Sequence, residues 1–132
     1  MKQNFSRILI ACLALLILSG CGNRLKPVVN IENSSITSVN GDLSIDQVEK
    51  AIKKACVTKG WRATIKSPGH ITATLNVRSH VAIVDIDYNP QSFSITYKDS
   101  TNLKYDGENI HRSYNNWIVY LERAINSQLL MY

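Results

Sequence analysis

The residues whose types and spacing can do chemistry fall into three groups. The first is His111-Arg112, preceded closely by Asp106 and Glu108, where a helix is predicted to begin. An imidazole beside a carboxylate is a general base, and a helix N-terminus with an arginine next to it is an anion site. Tyr114 and Trp117 follow His111 at a spacing of three, as core anchors on a helix do, and the stronger reading of His111 is structural, satisfying the end of the preceding loop. The second group is Asp85 and Asp87, two apart on a predicted strand and therefore on one face, with Arg78 and Lys98 on that same face. Carboxylates, cations and threonines alternating there make either a platform for a glycan or peptide or a plain solvated surface. The third group is His70 and His80, predicted at turns flanking one strand. An eight-residue strand is ~25 Å long, too long for the two rings to share a metal. The sequence contains no Gly-x-Ser-x-Gly, no His-Glu-x-x-His and no phosphate loop. We therefore assign no catalytic residue, metal ligand or cofactor, and expect a non-enzyme.

One more motif carries chemistry. Lys2 and Arg7 precede an unbroken apolar run, Ile8 to Leu18, which ends in Leu18-Ser19-Gly20-Cys21. That is the layout of a secretory signal peptide. Its eleven apolar residues would rise only ~16 Å as a helix, whereas a membrane span needs roughly 30 Å. The Leu-Ser-Gly-Cys ending resembles the lipobox of bacterial lipoproteins. The resemblance implies a diacylglycerol thioether on the Cys21 sulfur, cleavage before Cys21 and acylation of the new amino terminus. Gly22 follows Cys21 where the family's inner-membrane retention signal has Asp, which implies the outer membrane. Further on, Leu75-Asn76-Val77-Arg78-Ser79-His80, Val84-Asp85-Ile86-Asp87-Tyr88, Ser94-Ile95-Thr96-Tyr97 and His111-Arg112-Ser113-Tyr114-Asn115-Asn116-Trp117 are similar to uncharacterised small lipoproteins of Gram-negative bacteria. That resemblance implies a class and a place, facing the periplasm, with no activity to carry over.

The division expected is signal peptide 1–20, lipidated N-terminus and tether 21–42, and a single α+β domain 43–132. Losing Lys2 and Arg7 takes the formal charge from +5 to +3. The basic residues are scattered along the chain, a mild bias compatible with anionic lipid or glycan. Nucleic acid, which calls for a clustered stripe, is not an expected partner. Cys12 leaves with the signal and Cys21 takes the lipid, so Cys56 has no disulfide partner and is expected buried as a small apolar side chain.

The elements that must position these residues follow from periodicity. Ser44 and Gln47 form a capping-box pattern, and Leu43 can staple onto Val48. Ile45, Val48, Ile52, Ala55 and Cys56 recur at helical spacing until Gly60, predicting a helix over 44–59. The period then becomes two from Trp61 to about Asp99, predicting a four-stranded antiparallel meander with one apolar face. A three-residue Ser67-Pro68-Gly69 loop sets Ile65 opposite Ile71. A hairpin centred between Ser79 and His80 pairs Val77 with Ala82, Leu75 with Val84, Ala73 with Ile86 and Ile71 with Tyr88. That puts Asp85 beside Thr74 and Thr96, and Asp87 beside Thr72 and Ser94. Across the next turn Tyr88 meets Phe93, Ile86 meets Ile95 and Val84 meets Tyr97. A polar connection, Asp99 to Asn109, touches the core through Leu103 and Tyr105. Ile110, Tyr114, Trp117, Ile118, Leu121, Ile125 and Leu129 then predict a helix over 110–129.

The fold class expected is α+β, in the order α-β-β-β-β-α, with both helices on one sheet face. Gly22 to Asp42 is expected to be mostly coil, a leash of roughly 25 Å, with a short strand near 27–31 as an option. The function expected is a lipid-anchored, non-enzymatic envelope protein that binds or supports an envelope protein or cell-wall partner. The alternatives are a small periplasmic hydrolase built on His111 and a carboxylate, and a glycan- or peptide-binding module on the polar sheet face.

Overall fold

The computed structural model describes residues 23–132. Residues 1–22, with the expected signal segment 1–20 and Cys21 among them, lie outside the described residues. Nine elements follow in order: β1 (Leu25–Pro27), β2 (Ile31–Ser35), α1 (Ile45–Thr58), β3 (Trp61–Ser67), β4 (His70–Val77), β5 (His80–Tyr88), β6 (Ser92–Thr101), β7 (Asn109–His111) and α2 (Arg112–Leu129). The α+β class and the antiparallel meander hold. The sheet has five strands, in the order β2-β6-β5-β4-β3, and β1 pairs separately with β7.

The alternation of β3 to β6 sorts side chains to two faces. Ile71, Ala73, Ala82, Val84, Ile86 and Ile95 are fully buried on the inner one. The two helices cover that face with Val48, Ile52, Ala55 and Cys56 from α1, and with Tyr114, Ile118, Leu121, Ile125 and Leu129 from α2. Helix α1 begins as the sequence predicts. The Ser44 hydroxyl accepts the Gln47 N–H at 3.2 Å, and the Gln47 side chain accepts the Ser44 N–H at 2.8 Å, which satisfies two of the donors a helix start leaves open. It ends at Gly60, whose φ of +81° suits a residue without a Cβ.

Registers agree with expectation at two of the three hairpins. Ile65 faces Ile71. Tyr88 faces Phe93, Ile86 faces Ile95, and Val84 faces Tyr97. Between β4 and β5 the pairing is shifted by two residues: Val77 faces His80, Leu75 faces Ala82, Ala73 faces Val84 and Ile71 faces Ile86. The loop is just Arg78-Ser79, with Arg78 in the left-handed region at φ +56°. A shift of two keeps every side chain on its own face, so alternation cannot tell the two pairings apart and the turn decides. Further along, Ile83 pairs with Asp99, which leaves a bulge at Lys98.

The second departure is at the N-terminus. Residues expected to be coil form two strands. The edge strand on β6 is Ile31–Ser35 rather than 27–31, and Leu25–Pro27 pairs with Asn109–His111. The crossing between them is held by two asparagine side chains and one backbone bond: Asn30 Oδ1 accepts the Tyr97 N–H at 2.9 Å, and the Val28 N–H donates to the Glu108 carbonyl at 2.9 Å. Asn115 Oδ1 accepts the Val29 N–H and its Nδ2 donates to the Pro27 carbonyl, both at 2.9 Å. An amide there does for the crossing chain what a neighbouring strand does elsewhere. The third departure is Ile110, expected in the helix but fully buried in β7, with α2 starting at Arg112. The chain doubles back at Asp106–Asn109, so Ile110 enters the core from a strand. Leu103 is buried as expected, and the exposed Tyr105 stacks on Tyr97 at 4.1 Å.

Two substitutions test this packing. Asn115→Ala removes both hydrogen bonds and should lower unfolding free energy by about 1–2 kcal/mol in urea titration. The Tyr114 hydroxyl is buried with no hydrogen-bond partner among the described residues. Tyr114→Phe should therefore be neutral or stabilise by up to about 1 kcal/mol; a clear loss would show that the hydroxyl is satisfied.

Candidate functional site

On the outer sheet face, three neighbouring strands bring five polar side chains together. His70 opens β4 directly opposite Asp87, and Thr72 lies opposite Asp85. Alternation turns all four away from the helices. The bulge at Lys98 of β6 leaves that residue without an opposite number, and its long side chain reaches back to β5.

The geometry converges on one oxygen. Asp85 Oδ1 accepts the Thr72 hydroxyl at 2.9 Å and the Lys98 ammonium at 3.1 Å. His70 Nε2 lies 3.4 Å from the same oxygen, and His70 Nδ1 lies 2.6 Å from Asp87 Oδ1. The imidazole thus bridges two carboxylates, with its side chain 29 % exposed and that of Asp85 25 % exposed. Partial burial pushes the Asp85 carboxyl up, but the hydrogen bonds from Lys98 and Thr72, with the Lys98 and His70 charges, outweigh it and leave the pKa lowered. A histidine between carboxylates, on a surface that also carries Thr74 and the exposed Thr96, offers donors and acceptors in fixed directions. That is what recognition of a sugar or a peptide backbone requires.

Sequence reasoning placed Asp85 and Asp87 on this face but gave them other neighbours. Asp85 lies beside Thr72 rather than Thr74, and Asp87 beside His70 rather than Thr72; Thr96 and Ser94 are beside them as expected. The two-residue register shift is the whole cause. It also explains why His70 was missed as a member of the cluster: the signal that finds it is the Arg78-Ser79 two-residue loop. Arg78, expected on the same platform, sits in that loop at the other end of β4 and is exposed.

His111 and Arg112 form a separate place. His111 caps α2, its Nδ1 accepting the Ser113 N–H at 3.2 Å. Burial lowers the His111 pKa most, and the charges of Arg24, His80, Arg112 and Lys104 lower it further. An acceptor at Nδ1 means the ring is unprotonated at that atom. Asp106, expected beside it, instead accepts the Glu108 and Asn109 N–H groups at 3.0 and 2.7 Å. Those bonds close the tip of a hairpin whose other end is the His111 N–H bonded to the Leu103 carbonyl. Backbone hydrogen bonds lower the Asp106 pKa. Among the described residues no hydrogen bond or ion pair joins His111 to a carboxylate, so the base-and-carboxylate arrangement expected there does not form. Cys56 is buried and free, and burial raises its thiol to about 12, which leaves it protonated and inert.

A groove of about 380 Å³ lies between the end of α1 and α2, lined by Lys59, Tyr120, Arg123 and Gln128 among others. It touches none of the polar clusters. No helix among the described residues is long and apolar enough to cross a membrane.

The Asp85 network makes a pH prediction. A carboxyl whose folded pKa is lowered adds stability above the ordinary carboxylate range and loses it as pH falls through the lowered value. The wild-type chain should exceed Asp85→Asn by about 1 kcal/mol near neutral pH, and the gap should close on acidification. A gap independent of pH in chemical denaturation would mean that the carboxylate charge contributes nothing. The chain matches no family model, no curated protein and no solved structure.

Proposed function

We propose that this protein is a lipid-anchored binding module of the bacterial cell envelope, held to the membrane through Cys21 and offering its outer sheet face to an envelope partner. The lipobox-like Leu18-Ser19-Gly20-Cys21 behind a charged and then apolar start supports the anchor. The periplasmic face of the outer membrane is the location this reading favours.

The observation that carries the binding role is the network at Asp85. Five side chains from three strands are held in mutual contact on a face that neither helix covers. The N-terminal segment does not cover it either, because β2 extends the sheet in its own plane. Half-buried Ile83 and Val81 lie on the same face and supply apolar surface beside the polar groups, the mixture that sugar rings and peptide side chains fit. Donors and acceptors fixed in advance lose less freedom on binding than flexible ones.

Two measurements test the reading. In bacteria fed labelled palmitate, the full chain should take up label and fractionate with membranes, and Cys21→Ser should lose the label. An unlabelled wild-type protein would sink the anchor. Site-specific crosslinking in cells from a photoreactive residue at Thr96 should capture a discrete envelope protein or wall fragment, and His70→Ala with Asp87→Ala should reduce capture several-fold. Identical capture from Thr96 and from exposed Lys50 on α1 would remove the sheet face from consideration.

A further inference from the structure

We propose that the end of the molecule formed by Arg24, the β4–β5 turn, Lys104 and Arg112 is a membrane-facing surface that takes the anionic phospholipid headgroups of the leaflet holding the Cys21 lipid. The inference rests on the lipid-anchor reading above.

Four segments far apart in sequence meet there. The Arg24 carbonyl accepts the Arg112 N–H at 2.9 Å. His80 Nδ1 lies 2.6 Å from the Asn102 carbonyl oxygen, and the Asn102 amide donates to the Ser79 hydroxyl at 2.7 Å. The Leu103 carbonyl accepts the His111 N–H at 2.9 Å. These links set Arg24, Arg78, Lys104 and Arg112 around one rim, all four exposed. The charges of Arg24, His80, Lys104 and Arg112 all reach the His111 ring.

Carboxylates are close in sequence but turned elsewhere. Asp106 and Glu108 sit at the opposite tip of the hairpin that returns the chain to His111, and Asp106 is occupied by backbone N–H groups. Asp99 lies two pairs inside the end of the sheet, and its Oδ1 accepts the Ser100 N–H. The rim therefore gathers like charges whose counter-ions come from outside the fold, and a surface of phosphates is complementary to it.

The backbone supplies an independent sign that the cations have a purpose. Arg78, Asn102 and Lys104 hold φ of +56°, +57° and +55°. Asparagine takes the left-handed region readily, but arginine and lysine do not. At both positions glycine would relieve the chain, yet a cation stands there.

The position of the anchor selects the occupant. Cys21 precedes Arg24 by three residues, which span at most about 11 Å. Because Arg24 is bonded to the start of α2, the lipid cannot hold the domain off the bilayer on a long leash. It brings the headgroups to within roughly a Debye length, about 8 Å at physiological salt, of this rim. The opposite turns, Ser67–Gly69 and Asn89–Ser92, lie ~25 Å away along β4.

The test uses the lipidated full-chain product in vesicles of phosphatidylcholine, with or without roughly a third of phosphatidylglycerol. A fluorophore is attached through Ser79→Cys at the rim or Gln91→Cys at the far end. Buried Cys56, its thiol raised to about 12, does not compete for label. Energy transfer to a headgroup-labelled lipid should be at least about two-fold greater from position 79, should rise with phosphatidylglycerol, and should fall as salt goes from about 0.05 M to about 0.5 M. Arg78→Gly with Lys104→Gly should abolish about half or more of the phosphatidylglycerol effect while leaving the thermal midpoint equal or higher, so the loss cannot be unfolding. Protein that washes off the vesicles overturns the anchor and this inference with it. Protein that stays bound with equal transfer from both positions, or with no response to phosphatidylglycerol and salt, overturns this inference alone.

Discussion

One row of isoleucines sets the architecture. Ile65, Ile71, Ile86, Ile95 and Ile31 stand opposite one another across all five strands, from β3 to β2. The middle three are fully buried, and burying each is worth about 2 kcal/mol. Branched side chains facing across a ladder also pack against each other. The row fixes which face of the sheet is inner. That face is then largely taken by the stripes of α1 and α2, with Ile65 left exposed on the β3 edge strand, and much else follows. The N-terminal chain packs Val28, Val29, Ile31 and Ile36 against that core; β2 joins the sheet edge at Ile31, and the Asn115 amide bonds the crossing before it. The opposite face, relieved of any packing role, is where Asp85 and His70 can sit half-buried and bonded.

The parts of this fold legible in the sequence are those written by local rules. The Ser44 cap, the Gly60 stop and the alternation from Trp61 to Asp99 depend on neighbours a few residues apart, and each appears where those neighbours put it. The β4–β5 register is not local in that sense. Both pairings set small or apolar residues against one another, since a period of two is blind to a shift of two. What separates them is the isoleucine row, which aligns only when the loop is Arg78-Ser79, and that loop asks an arginine to adopt a positive φ. A rule that disfavours such a turn points the wrong way here. Strands β1 and β7 were illegible for another reason: each is three residues long and stable only because the other is there.

The candidate sites show the same division. Asp85 and Asp87 could be assigned to one face from alternation alone, whereas their partners depended on the register, so His70 went unrecognised beside them. The basic rim was hidden more deeply. Its arginines and lysine are scattered over some ninety residues of chain, and nothing short of the fold brings Arg24 beside Arg112 or Lys104 near His80. Scattered charge in a sequence is thus weak evidence against a charged surface, because segment ends converge wherever strands and helices begin and stop together. His111 illustrates the converse. Its sequence neighbours are acidic, but its spatial neighbours are cations, because the hairpin tip carries Asp106 and Glu108 away.

The two polar surfaces are related by the length of a strand. His70 begins β4 and Val77 ends it, so the imidazole–carboxylate cluster and the basic rim lie toward opposite ends of one rigid ladder, ~25 Å apart. With the proposed lipid on Cys21, that ladder would extend away from the bilayer and display the cluster at a set height above it. A flexible leash of twenty residues would let the same cluster sample every height and orientation. Strands β1 and β2 remove that freedom: by pairing with β7 and β6 they convert the linker into structure and leave only Gly22 and Asn23 between Cys21 and Arg24. The ordering of the N-terminal segment packs Val28, Val29, Ile31 and Ile36 against the core and at the same time fixes the direction in which the chain leaves the sheet. Under the proposed anchor, that direction would decide which end of the sheet stands nearer the lipid.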